Sequence, residues 1–150
     1  MKETIKVLIA DSNRTQAIEL RNQLKSWGYH VTPIASSISK TFAAVRKQNP
    51  DLVIMDVAID ADEGRAIDAA ARFFHDHDKP VILLIDCMSQ EVQSHLKLLR
   101  LFYCISKPLR YDLLHTVIEF AMLESETCET AQAPELTYET VNENLCLINA

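Results

Sequence analysis

The sequence predicts a doubly wound α/β domain with a five-stranded parallel sheet, and three observations carry that prediction. Short, mainly apolar runs recur along the chain, separated by longer stretches whose apolar residues fall at helical spacing. Strands apolar on both faces need cover on both, which is the condition of a parallel sheet wrapped by right-handed crossover helices. Finally, polar and charged residues follow these runs directly, at Asp11, Ser12, Asp56, Asp86 and Lys107. In such a sheet the carboxyl ends of the strands are where ligands bind. With 150 residues, 48% of them hydrophobic, the chain has material for one packed core and not for two.

The first apolar run, Ile5 to Ala10, is too short for a helix and stops at the turn and capping residues Asp11-Ser12-Asn13. Ala17, Leu20, Leu24 and Trp27 then mark a helix from about Arg14 to Trp27, closed by Gly28, which tolerates a left-handed backbone. A second strand is predicted over Val31 to Ile34, and a second helix with Ile38, Phe42 and Val45 ends before Asn49-Pro50. Leu52 to Met55 is the third strand. After an acidic loop, Ile67, Ala70, Ala71 and Phe74 mark a third helix, and Pro80 leads into the strand Val81 to Ile85. Val92, Leu96 and Leu99 mark a fourth helix. Tyr103 to Ser106 is the last strand, followed by a fifth helix with Leu113, Val117, Phe120 and Ala121 inward.

Residues 1–124 therefore read as one domain. Residues 125–150 read as a Ser-, Thr- and Glu-rich linker up to Pro134, then a tail in which Leu136, Val141, Leu145 and Ile148 are spaced for one more short amphipathic helix.

The net charge of −6 argues against a nucleic-acid surface, which would carry a basic stripe. The amino terminus has neither the cationic start and apolar stretch of a signal peptide nor a span for a bilayer, so a cytoplasmic protein without membrane contact is expected. Cys87, Cys104, Cys128 and Cys146 form no Cys-x-x-Cys pair, so neither zinc nor a redox motif is suggested.

Three strand-end residues supply what phosphoryl transfer to a carboxylate needs: a nucleophile at Asp56, a second acid at Asp11 to help hold a divalent cation, and a cation at Lys107. Magnesium suits such a site because it takes oxygen ligands and keeps several waters. Around these residues stand Val-Leu-Ile-Ala-Asp11, Pro50-Asp-Leu-Val-Ile-Met-Asp56, Gly64, Pro80-Val-Ile-Leu-Leu and Lys107-Pro108. With them the chain, from about Ile5 to Leu123, resembles the receiver domain of two-component response regulators. The resemblance implies a flavodoxin-like (βα)5 fold with strand order 2-1-3-4-5. It implies Asp56 as phosphoacceptor, Mg2+ held by Asp11, Asp56 and the backbone carbonyl of Ala58, and Lys107 as the phosphate-binding residue. It also implies a cis peptide bond before Pro108, and a histidine kinase or phosphotransfer protein as partner.

The chain departs from the family where the signal is bound and read. Ser12 stands in place of a second acid. Ile85 replaces the hydroxyl residue that bonds the phosphoryl group, removing a contact worth about 1.5 to 3 kcal/mol when a full switch needs roughly 5.5 kcal/mol. Asp86 replaces a small residue, and at about 5 Å its charge would oppose a phosphoryl group by roughly 3 kcal/mol; the other reading is a cation ligand replacing the acid absent at Ser12. Cys104 holds the aromatic switch position, with Tyr103 on the opposite face. Leu98, Leu101, Phe102 and Tyr103 put apolar bulk on the surface of the fourth helix, fifth strand and fifth helix, where the family dimerises or contacts outputs; burial of Leu101 and Phe102 under the fourth helix is the alternative.

Other groups read as bland. His75-Asp76-His77-Asp78 is a solvated helix end, His95 and His115 are surface residues, and Asp60, Asp62 and Glu63 lie in a solvated turn. A flavin-binding protein of the same topology is disfavoured because Asp11-Ser12-Asn13-Arg14 offers no phosphate cradle. The sequence thus describes a signalling domain rather than an enzyme. It is an atypical receiver in phosphorelay signalling, or alternatively a phosphorylation-independent pseudo-receiver used for dimerisation or scaffolding.

Overall fold

A computed structural model describes residues 4–86, 102–127 and 145–148. The elements are β1 (Lys6–Ala10), α1 (Arg14–Ser26), β2 (His30–Val31), α2 (Ile38–Gln48), β3 (Leu52–Asp56), α3 (Glu63–His77), β4 (Val81–Ile85), β5 (Phe102–Ser106), α4 (Tyr111–Thr127) and β6 (Leu145–Ile148). The predicted fourth helix, with Val92, Leu96 and Leu99, lies outside the described residues, so α4 is the helix that sequence counting made the fifth.

The sheet runs β2-β1-β3-β4-β5-β6. Its first five strands are parallel in the order 2-1-3-4-5, as the doubly wound reading requires. Side chains alternate between two apolar layers. Leu8, Val53, Met55, Leu83, Ile85 and Cys104 face α2 and α3, while Val7, Ile9, Leu52, Ile54, Leu84, Tyr103 and Ile105 face α1 and α4. Both layers are buried, which is why these strands carry no polar alternation.

Local chemistry fixes the helix ends nearest the sheet. Asn13 caps α1 and accepts from the Gln16 N–H at 3.1 Å. At the other end Gly28, with φ of 93°, lets Gly28 N–H reach Lys25 O and Tyr29 N–H reach Leu24 O, the paired bonds of a Schellman closure. Ser37 and Asp62 cap α2 and α3 in the same manner as Asn13.

Four details differ from the sequence reading. First, β2 is only His30–Val31; the Thr32 N–H still donates to Val7 O, and the strand contact resumes as a single bridge between Ala10 and Ala35. Second, the inward face of α3 is Ala66, Ile67, Ala69, Ala70 and Phe73 rather than one ending in Phe74. Phe73 is fully buried and packs on Phe42 with ring centroids 4.5 Å apart. Third, α4 buries Leu114, Val117, Ile118 and Ala121, while Phe120 is 37% exposed. Fourth, Leu145–Ile148 is a strand and not part of a helix. It pairs antiparallel with β5, with Cys146 opposite Cys104 and Ile148 opposite Phe102. The outer edge of β5 needs partners for its backbone groups, and a four-residue apolar run supplies them better by extending than by coiling into one turn.

Candidate functional site

The carboxyl ends of β1, β3, β4 and β5 converge, and the chemistry-bearing side chains lie there. Asp11 follows β1 directly, and its backbone N–H donates to Ala35 O at 2.9 Å. Asp56 is the last residue of β3. Both carboxylates are buried, at 3% and 5% exposure, in a molecule whose other buried polar residues among those described are two threonines.

Among the described residues, three donors meet Asp56. The Ala58 N–H donates to Asp56 Oδ1 at 2.8 Å. Lys107 Nζ donates to Asp56 Oδ2 and also lies 3.4 Å from Asp86 Oδ1. The Lys107 backbone N–H is anchored on Ile85 O at 2.8 Å, and its peptide bond to Pro108 is cis. Burial would lower the Lys107 pKa, but the hydrogen bond and charge of Asp56, joined by Asp86, carry it above the usual lysine range.

Asp11 is held by two donors, the Asn13 N–H at 2.9 Å on Oδ1 and Gln16 Nε2 at 2.7 Å on Oδ2. Burial pushes its pKa up, with the negative charge of Asp56 adding to it, against the lowering influence of the Asn13 N–H, Lys107 and Gln16. The same Gln16 nitrogen donates to Asp56 Oδ2 at 3.1 Å. Gln16 is the site residue that sequence reading does not single out. The signal was its place in the first turn of α1, five residues after Asp11, which aims its side chain over the strand ends.

The remaining expected residues are placed as follows. Asp86 is exposed and meets Lys107 rather than the acidic pair. Ser12 is exposed. Ile85 and Cys104 are buried in the layer facing α2 and α3, and Tyr103 is on the other side of the sheet, as strand alternation requires. Tyr103 does not present a partner surface: it is 6% exposed, packed edge-on against Phe120. Leu98, Leu101, Cys87 and His95 lie outside the described residues, and Phe102 is described only through its pairing in β5. His115 is half-buried rather than freely solvated, stacking on Trp27 with ring centroids 4.2 Å apart and planes 7° from parallel. Asp60 accepts from the Ile38 N–H at 3.4 Å, and Asp62 caps α3, so the acidic loop is tied down at two points.

A divalent cation does not fit this arrangement as it stands. Its expected bridging position between the carboxylates holds the Gln16 amide, and Ser12 supplies no carboxylate. Among the described residues no group of three or more His, Cys, Asp or Glu side chains is gathered to hold a metal. No described helix is long and apolar enough to cross a membrane.

The response regulator receiver domain profile matches residues 7–119 of the chain. The chain belongs to this family. Among solved structures, the receiver is similar to the signal receiver domain of a modulated diguanylate cyclase from Desulfovibrio desulfuricans G20. That match has 26% identity and a TM-score of 0.76 over 85% of this chain and 100% of the other. It shares its fold with a CheY-like receiver domain protein from Methanospirillum hungatei JF-1 (20% identity, TM-score 0.71, 83% and 98% covered). A response regulator from Thermotoga maritima gives a comparable match (22% identity, TM-score 0.67, 80% and 98% covered). No curated protein sequence matches the receiver.

Proposed function

We propose that the chain is an atypical receiver of a phosphorelay, with Asp56 as its phosphoacceptor and a histidine kinase or phosphotransfer protein as donor. The observation that supports this reading best is a buried carboxylate, Asp56, at the end of a central strand with the Lys107 ammonium on one of its oxygens. In the transfer an Asp56 oxygen attacks phosphorus as the N–P bond of a phosphohistidine breaks, and the histidine nitrogen leaves with the electron pair. Lys107 neutralises the charge carried in, as a point charge rather than a fork. The Ala58 N–H holds the other carboxylate oxygen and so fixes which face of Asp56 is presented. This is a signalling step and not turnover of a substrate.

Readout is weakened in this proposal. Ile85 offers the phosphoryl group a hydrocarbon where a hydroxyl would bond it, and Cys104 is a small side chain that packs inside rather than a ring that changes place. Output would pass through the face of β5 and α4, where Phe120 and Leu123 are exposed hydrophobics suited to a partner or a second copy. The phosphorylation-independent pseudo-receiver is the second reading, favoured by one observation: both Asp56 oxygens are already bonded to donors within the protein.

The two readings separate on intact mass after incubation with a small phosphodonor, with and without magnesium, using Asp56→Asn as control. A gain of one phosphoryl group in the wild type and none in the variant supports the first. No gain under conditions that modify an ordinary receiver leaves the second.

A further inference from the structure

We infer that the Gln16 carboxamide occupies the place of a divalent cation in this pocket, cross-linking Asp11 and Asp56 through its two N–H bonds, so that the site is assembled without metal. Its nitrogen lies 2.7 Å from Asp11 Oδ2 and 3.1 Å from Asp56 Oδ2, each within hydrogen-bond range of one carboxylate. The orientation of the amide follows from chemistry: ionised carboxylates only accept, so the NH2 group must face them and the carbonyl oxygen must face away. The two acids are thereby given what a bridging cation would give them, a shared electropositive partner.

One feature of the pocket agrees with this substitution. Ser12 adds no third carboxylate, so the negative charge facing Gln16 is small enough for a neutral amide and the Lys107 ammonium to balance. Magnesium needs oxygens at about 2.0 to 2.1 Å. It could approach Asp11 and Asp56 together only after Gln16 had rotated away and surrendered both bonds.

The inference concerns the pocket of the proposed phosphoacceptor but does not need Asp56 to be phosphorylated. Its test is Mg2+ titration of the full chain in the absence of any phosphodonor. Binding is read by calorimetry and by the backbone amide resonances of Asn13 and Ala58, the two N–H groups bonded to the carboxylates. Gln16→Ala should bind Mg2+ at least about tenfold more tightly than wild type, the factor expected when one competing charge-assisted hydrogen bond is removed. Gln16→Glu should melt at a lower temperature than wild type without divalent cation and recover when Mg2+ is added, because three converging acids then need it. Equal Mg2+ affinity in wild type and Gln16→Ala, or a Gln16→Glu melting temperature indifferent to Mg2+, would overturn the inference. Neither result bears on whether Asp56 accepts a phosphoryl group, which intact mass reports separately.

Discussion

At the scale of single residues, Asp56 and Lys107 depend on each other. Truncating Lys107 to Ala would leave a buried carboxylate without its cation, so we expect a loss of about 2–4 kcal/mol in chemical denaturation, below the upper range for buried pairs because Lys107 is partly exposed. Adding Asp56→Asn to that variant should recover part of the loss, and near-additive effects in the double-mutant cycle would show that the pair is not coupled. Asp11 acts in the opposite sense. Its folded pKa is raised, so the folded state binds more protons than the unfolded one within that window, and stability falls as pH rises through it. Asp11→Asn should therefore melt higher than wild type at pH 7, with the advantage shrinking as pH falls through the raised folded pKa and gone below about pH 4, where the acid is protonated in both states. Thermal melts across that range check the sign. The acids and the lysine were legible in the sequence because strand-end charge is conspicuous. Gln16 was not, because a glutamine in the first turn of a helix looks like any solvated residue until its neighbours are known.

Elements were read well where period alone decides and less well where it does not. The strands β1, β3 and β4 stand out as mainly apolar runs, and α1 is bracketed by Asn13 and Gly28. In α3, by contrast, two adjacent phenylalanines differ by about 100° around the axis, and only packing on Phe42 decides that Phe73 turns in. Phe73→Ala should cost about 3–5 kcal/mol in urea denaturation, whereas Phe74→Ala, at a half-buried position, should cost less than half of that. Comparable losses for the two would mean that the helix is rotated from the orientation described. The tail was misread for a related reason. Leu145–Ile148 has no period long enough to show itself, and its conformation is set by the β5 edge beside it, a long-range partner that no local pattern announces.

For the whole molecule, the strand order and the two-layer core follow from pattern and handedness rules, while the sixth strand does not. If β6 shields the edge, a chain ending at residue 127 should exchange the β5 backbone amides that point away from β4 faster than the full chain does. Hydrogen exchange of the Cys104 amide, which alternates with Lys107 and so faces β6, reads this directly, and unchanged protection would mean that β6 contributes nothing to the edge. The direction of β6 has a separate consequence. Leu145 lies beside Ile105 near the carboxyl end of β5, and Ile148 lies beside Phe102 at the other end. The backbone thus leaves the sheet about 10 Å further from the Asp56 pole than it entered this strand, three residue steps along the pleat. A fluorescent label or an affinity handle joined behind Ile148 would start from the far pole, leaving the mouth of the pocket open to a donor protein.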